Sequence, residues 1–137
     1  MSWRPFPTVE HRVDRAAIDE YAELSGDYNP LHMDPEFAAA TQFGGVIAHG
    51  PIGLQALFEA VTTWLGVECL PPSVSIDVSY RGPVRIDSAV VCGGELIADH
   101  AGALAVRAWC RNADGAEILQ ALIVVPRVLV PRAPDPA

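Results

Sequence analysis

The chain contains no lysine, and its nine arginines face 17 carboxylates, for a formal net charge of −8. A basic stripe able to neutralise a phosphate backbone is therefore missing, which excludes a nucleic-acid surface. A local arginine pair could still hold a small anionic ligand. Long apolar runs are missing too. The longest, such as Ala121–Val125, are strand-sized and fall well short of the roughly 18 to 20 residues that cross a bilayer as a helix. Met1-Ser2-Trp3-Arg4-Pro5 has no apolar segment behind its lone charge, so no secretory signal is expected. Cysteine is scarce: Cys69, Cys92 and Cys110 are odd in number and widely spaced, and fit neither a disulfide framework nor a zinc spacing. They read as small buried hydrophobes in a reducing compartment, and the expected location is the cytoplasm. Charged residues make up only 19 % of the chain and apolar ones 50 %, a balance that excludes general disorder. The 137 residues suffice for a single domain. It is expected over residues 1–130, with Pro131 to Ala137 as a disordered tail.

What is present alternates and caps. Thr8 to Val13 reads as a strand. Asp14 then stands as the N-cap of a helix through about Leu24, with Ala17, Ile18, Tyr21 and Leu24 on one face. Ser25 to Pro30 end that helix in turn-forming residues, and Asp34-Pro35 opens a helical turn or two through Ala40. Gln42 to His49 is a loop, followed by a helix from about Pro51 to Trp64 with Gly66 as its stop. That helix is apolar nearly all round and is expected to be wrapped by other elements. The second half is strand-like. Val74, Ile76, Val78 and Tyr80 alternate with polar residues. Ala89 to Ala98 carries Gly93-Gly94 as an expected bulge, and Asp99 to Gly102 makes a hairpin connection. Leu104 to Cys110 alternates again, Asn112 to Gly115 turns, and Ile118 to Val125 is the last strand. The expected class is α+β: a curved antiparallel sheet wrapped around one central helix, with dimerisation covering its open edge.

Reactive groups are densest between Tyr21 and His32. Asp27, Asn29 and His32 lie within six residues, on a turn stiffened by Gly26 and Pro30. A carboxylate beside an imidazole is an acid–base pair able to hold one water, with Asn29 fixing either through its amide. The same residues also suit a plain capped turn beside an ordinary buried histidine. A second candidate is Ala48-His49-Gly50-Pro51 at a helix start, where backbone N–H groups lack intrahelical partners. The N–H of Gly50 could stabilise an oxyanion, and its missing side chain would let a ligand approach. His49 reads as a residue that bonds to backbone and fixes the loop rather than as a catalyst. Arg81 and Arg85 flank Gly82-Pro83-Val84 and suit a phosphate, or else form a solvated turn.

Taken together, Tyr21-Ala22-Glu23-Leu24-Ser25-Gly26-Asp27-Tyr28-Asn29-Pro30-Leu31-His32 and Ala48-His49-Gly50 resemble the signature of the MaoC-like (R)-specific enoyl-CoA hydratases, or hydratase 2. The related 3-hydroxyacyl-thioester dehydratases share it. The resemblance continues into Val78-Ser79-Tyr80-Arg81-Gly82-Pro83-Val84 and covers roughly Thr8 to Pro126. It implies the hot-dog fold, an acyl thioester of coenzyme A or acyl carrier protein as substrate, and no cofactor or metal. It also implies a homodimer, or a heterodimer in which one subunit carries the pair. Asp27 and His32 fall on the family's catalytic residues, Asn29 on its supporting asparagine, and Gly50 on its oxyanion glycine. Two positions depart from the pattern. Ile86 stands before Asp87 where a glycine is usual, which bears on a strand bend. Phe58 stands where some members have a small hydroxyl residue near the acyl pocket, which bears on chain preference.

Overall fold

The structure, a computed structural model, describes residues 2–134. Asp14 both ends β1 (Val9–Val13) and starts α1 (Arg15–Ser25), its carboxylate accepting the Ala17 N–H at 2.9 Å. Gly26 closes α1 in the left-handed conformation (φ 74°), with its N–H on the Ala22 carbonyl. The chain does not then pass through a plain turn. Asn29 accepts the Leu31 N–H at 3.0 Å and caps α2 (Pro30–Met33), because proline fits a first helical turn as well as it ends a previous one. His32 therefore stands on a short helix. Asp34 caps α3 (Pro35–Ala39), as the Asp-Pro pair predicts.

The expected second helix is split into a 3-10 turn, Gly50–Gly53, and α4 (Leu54–Leu65), which Gly66 stops with φ 69°. Four further strands follow: β2 (Ser75–Tyr80), β3 (Ser88–His100), β4 (Ala103–Arg111) and β5 (Glu117–Pro126). All pairings are antiparallel, in the order β1-β3-β4-β5-β2, so β1 and β2 form the two edges of one sheet. The sheet curls around α4, which packs on β1, β3 and β4. The core joins Ala56, Leu57, Val61 and Trp64 of α4 to Val90, Leu104, Val106, Leu119 and Ile123 of the sheet, all fully buried. Each such large side chain contributes about 1.5–3 kcal/mol by leaving water.

Several expectations need correction. Helix α4 is not covered all round: Gln55, Phe58, Glu59 and Thr63 face outward, because one sheet shields only one side of a cylinder. Gly93 and Gly94 make no bulge; they pair regularly with Trp109 and Ala108, and the irregularity falls between Leu96 and Ala98. These glycines answer to space instead, since a Cβ on Gly94 would lie 2.9 Å from Phe6 Cδ1 and 3.0 Å from the Arg107 carbonyl. The bend ahead of β3 is made by Asp87 in the left-handed region (φ 59°), which aspartate tolerates better than most side chains. Cys69 is exposed, unlike Cys92 and Cys110, which face each other across β3 and β4. Sharing its proton with the Cys110 sulfur as donor, and then burial, push the Cys92 thiol up and keep it inert.

The tail from Pro131 is also not disordered where it is described. The Arg4 N–H donates to the Pro131 carbonyl at 3.1 Å, and the Ala133 N–H to the Ser2 carbonyl at 3.0 Å. Nearby, Asp99 accepts the Trp3 indole N–H at 3.0 Å and the Arg127 Nε–H at 3.0 Å. The Arg132 guanidinium lies 3.4 Å over the Trp3 ring. This clasp ties both ends of the chain to the β3–β4 hairpin. Asp135 to Ala137, also expected in the disordered tail, lie outside the described residues. Among the described residues no helix is long and apolar enough to cross a membrane.

Candidate active site

Asp27 follows the cap of α1 in a turn made by its own neighbours. Its N–H donates to Ser25 Oγ at 3.2 Å, and its Oδ1 accepts the Asn29 N–H at 3.1 Å. Oδ2 faces Nε2 of His32 at 4.0 Å. That gap is too long for a direct hydrogen bond and suits one oxygen shared between the two groups. On the other side of the His32 ring, Nδ1 lies 2.7 Å from the Ile47 carbonyl. A carbonyl only accepts, so Nδ1 carries a proton and Nε2 is the ring atom turned toward Asp27. Asp27 is half exposed and His32 largely buried, so the pair spans the boundary between solvent and core.

His49 lies directly beneath. It is 2 % exposed, its Nε2–H donates to the Asp27 main-chain carbonyl at 2.8 Å, and its ring stacks on His32 with centroids 4.0 Å apart. The Tyr21 ring also packs against it, with centroids 4.8 Å apart. Gly50 begins the 3-10 turn, so its N–H has no acceptor within that turn. The His49 carbonyl accepts the Ile52 N–H at 3.0 Å, and no peptide bond among the described residues is cis. In a trans peptide the N–H opposes the C=O, so the Gly50 N–H points away from the turn.

Tyr80, at the end of β2, packs against the open face of Gly50: its Cε1 is 3.7 Å from where a Gly50 Cβ would stand. Partial burial, and then the neighbouring Tyr21, push its phenol up from the ordinary tyrosine value. Sequence reasoning placed Tyr80 at the end of an alternating strand and within the Val78–Val84 resemblance, and gave it no role in the site. A cavity of about 380 Å³ opens between α1 and the start of α4, lined by Tyr21, Leu24, Pro51, Leu54 and Phe58. It adjoins the site through Tyr21 and Pro51 and does not enclose Asp27 or His32.

Other expected residues are placed differently. The Asn29 side chain caps α2, and what holds Asp27 is its main-chain N–H. Arg81 donates to Gln120 Oε1 at 3.2 Å, while Arg85 donates to the Phe43 carbonyl at 2.5 Å, so the two arginines have separate partners. Asp27, His32 and His49 bring ligand-type atoms within 4.8 Å of one another. The two rings are only 30° from parallel, so their nitrogens run side by side rather than converging on one ion.

An antiparallel sheet curled around a helix, with polar groups gathered at the helix start, defines a hot-dog domain, and solved structures agree. The (R)-hydratase of Aeromonas caviae superposes with a TM-score of 0.76 at 23 % identity, over 90 % of this chain and 94 % of that one. R-hydratase PhaJ1 of Pseudomonas aeruginosa gives 0.76 at 19 % identity, over 97 % and 83 %. Residues 4–107 match the MaoC like domain family. A 3-hydroxybutyryl-CoA dehydratase of Methylorubrum extorquens is 37 % identical over 128 residues, which are 87 % of this chain and 77 % of that protein. An (R)-specific enoyl-CoA hydratase of Aeromonas caviae is 38 % identical over 94 residues, 66 % of each. The chain belongs to the MaoC-like domain family, and its fold is the hot-dog fold.

Proposed function

We propose that this protein is a hydro-lyase that adds water to 2-enoyl thioesters and, in reverse, dehydrates (R)-3-hydroxyacyl thioesters. The substrate is carried on coenzyme A or an acyl carrier protein. The observation that supports this most directly is the 4.0 Å approach of Asp27 Oδ2 to His32 Nε2, over the ring of His49, whose main chain leads into the N–H of Gly50. Relatives at 37 % and 38 % identity bear the names of such a dehydratase and such a hydratase.

In this reading the thioester carbonyl accepts the Gly50 N–H, which draws electron density from the conjugated double bond toward oxygen. Water held by Asp27 and His32 attacks the β-carbon and gives a proton to the pair. The enolate charge rests against the backbone donor, and the pair returns one proton to the α-carbon. The elements of water have then been added with nothing oxidised or reduced, so the acid–base groups suffice. An oxyanion donor of this kind is worth about 10²–10³ in rate, and each acid–base role about 10²–10⁴.

The groove at Phe58 takes the acyl chain in this proposal. Arg81 and Arg85 meet the phosphates of the carrier, and among the described residues neither forms an ion pair that would compete. The open outer face of α4 is covered by a second copy or a related chain; one structural neighbour is a chain of the ChsH1–ChsH2 complex of Mycobacterium tuberculosis. Three unpaired thiols support a cytoplasmic setting.

The test is purified protein with crotonyl-CoA and longer enoyl thioesters. Expected is loss of enoyl absorbance without release of thiol, and an (R)-3-hydroxyacyl product. Thiol release would instead identify a thioesterase, and inertness toward all of them would overturn the reading.

A further inference from the structure

The bonds that shape the Asp27 turn are local. Ser25 and Asn29, each two residues away, set its curvature but not its place against α2 and Gly50. The hydrogen bond that reaches Asp27 from another part of the chain comes from His49, 22 residues on. His32 has a similar need. Its single bond from Nδ1 to Ile47 leaves the imidazole able to swing about that axis, and the His49 face 4.0 Å away limits the swing. The main chain of His49 leads without slack into Gly50.

We propose that His49 is the positioning residue of the site. One imidazole sets the Asp27 carboxyl, the His32 ring and the Gly50 N–H in common register. This rests on the hydratase reading above and names a residue that reading does not use. Apolar packing alone gives no reason for a histidine here. It is 2 % exposed, and its Nδ1 has no hydrogen-bond partner in the protein among the described residues. Burying a polar atom in that way costs free energy. A phenylalanine would fill the space between Tyr21 and His32 without that cost, but could not hold the Asp27 carbonyl.

The prediction separates the two roles. His49→Phe keeps the ring and loses the donor, whereas His49→Gln keeps an N–H donor and loses the ring. Displacing a reacting group by about 1 Å can cost on the order of 10² in rate. His49→Phe should therefore lower kcat by about 10²-fold, with KM within about threefold and Tm unchanged or raised. His49→Gln should recover most of the loss, to within about tenfold of the parent. A folded His49→Phe with parental kcat overturns the proposal, as does an equal loss in both variants that follows a fall in Tm.

Nitrogen-15 NMR of the unsubstituted protein gives a second reading that no variant's folding can blur. A slowly exchanging His49 Nε2–H with ring-to-ring contacts to His32 is the expected result, and a His49 Nδ1–H tautomer overturns it. If the parent protein hydrates no enoyl thioester, the functional reading fails. The NMR result still decides whether His49 holds the two groups.

Discussion

The stretch from Ser25 to Gly53 and the sheet from β3 to β5 are built by different forces. The sheet and α4 are held by apolar area: Leu57, Leu104, Val106, Leu119, Ile123 and Trp64 are at most 1 % exposed. The Ser25–Gly53 stretch has short helical turns, and its shape comes from polar side chains satisfying main-chain groups. Asp27, Asn29 and Asp34 each accept a backbone N–H, and His32 and His49 each donate to a backbone carbonyl. One region can lose a methyl group and keep its form. In the other, each side chain of the proposed acid–base site stands on a frame of hydrogen bonds to the main chain. The sheet supplies the rigid support, and the loop carries the candidate reactive groups.

Substitutions should separate the two regions sharply. The largest effect is expected at the pair: Asp27→Asn and His32→Ala should each lower kcat by at least about 10²-fold, with unfolding temperatures near parental. Near-parental turnover by either folded variant would remove the acid–base assignment. Leu57→Ala should show the opposite pattern, losing about 2–5 kcal/mol in denaturant unfolding, with kcat of the folded fraction little changed. A large kcat loss there would mean that the sheet and the site are not separable.

Gly94→Ala probes the sheet more finely. A Cβ there meets Phe6 and the Arg107 carbonyl at 3.0 Å or less, so a stability loss of about 1–3 kcal/mol is expected. An unchanged midpoint would show that Phe6 moves aside freely. Smaller still is Asp34→Ala, which removes the α3 cap and should cost about 1 kcal/mol. Its effect on kcat measures how firmly α3 supports the short helix bearing His32.

The clasp at the chain ends gives a pH test away from the site. Asp99 is held below the ordinary carboxylate value by the Trp3 N–H and then by Arg127. Its folded value is therefore the lower one, and its contribution is present at neutral pH and lost as pH falls through the acid range. Asp99→Asn should lower Tm slightly at pH 7, by a gap that closes as pH falls below the ordinary carboxylate range. A gap that stays constant with pH would show that the aspartate's charge is not involved.

Much of this was legible from local chemistry. Asp14 before an amphipathic run, Asp34-Pro35, and the alternation from Val74 to Val125 are written in neighbouring residues, and the structure follows them. The hot-dog fold and the family were reached through the Tyr21–His32 and Ala48–Gly50 motifs. The elements misjudged were those settled by distant partners. The exposure of Phe58 depends on how far the sheet reaches around α4. The need for glycine at Gly94 comes from Phe6, and the hold on Pro131 to Ala133 comes from Ser2 and Arg4. Asn29 was expected to act through its side chain, but that side chain was taken up by α2, a helix the turn residues did not announce.

The amino-acid sequence by itself determined the elements, their caps and the residue types available for chemistry, because capping and amphipathic periodicity act within a few positions. Tertiary structure alone decided the strand order β1-β3-β4-β5-β2, the orientation of the His32 ring and the stacking of His49 beneath it. Those depend on groups 15 and 22 residues apart meeting in space, and burial of the sheet around α4 is what brings them together.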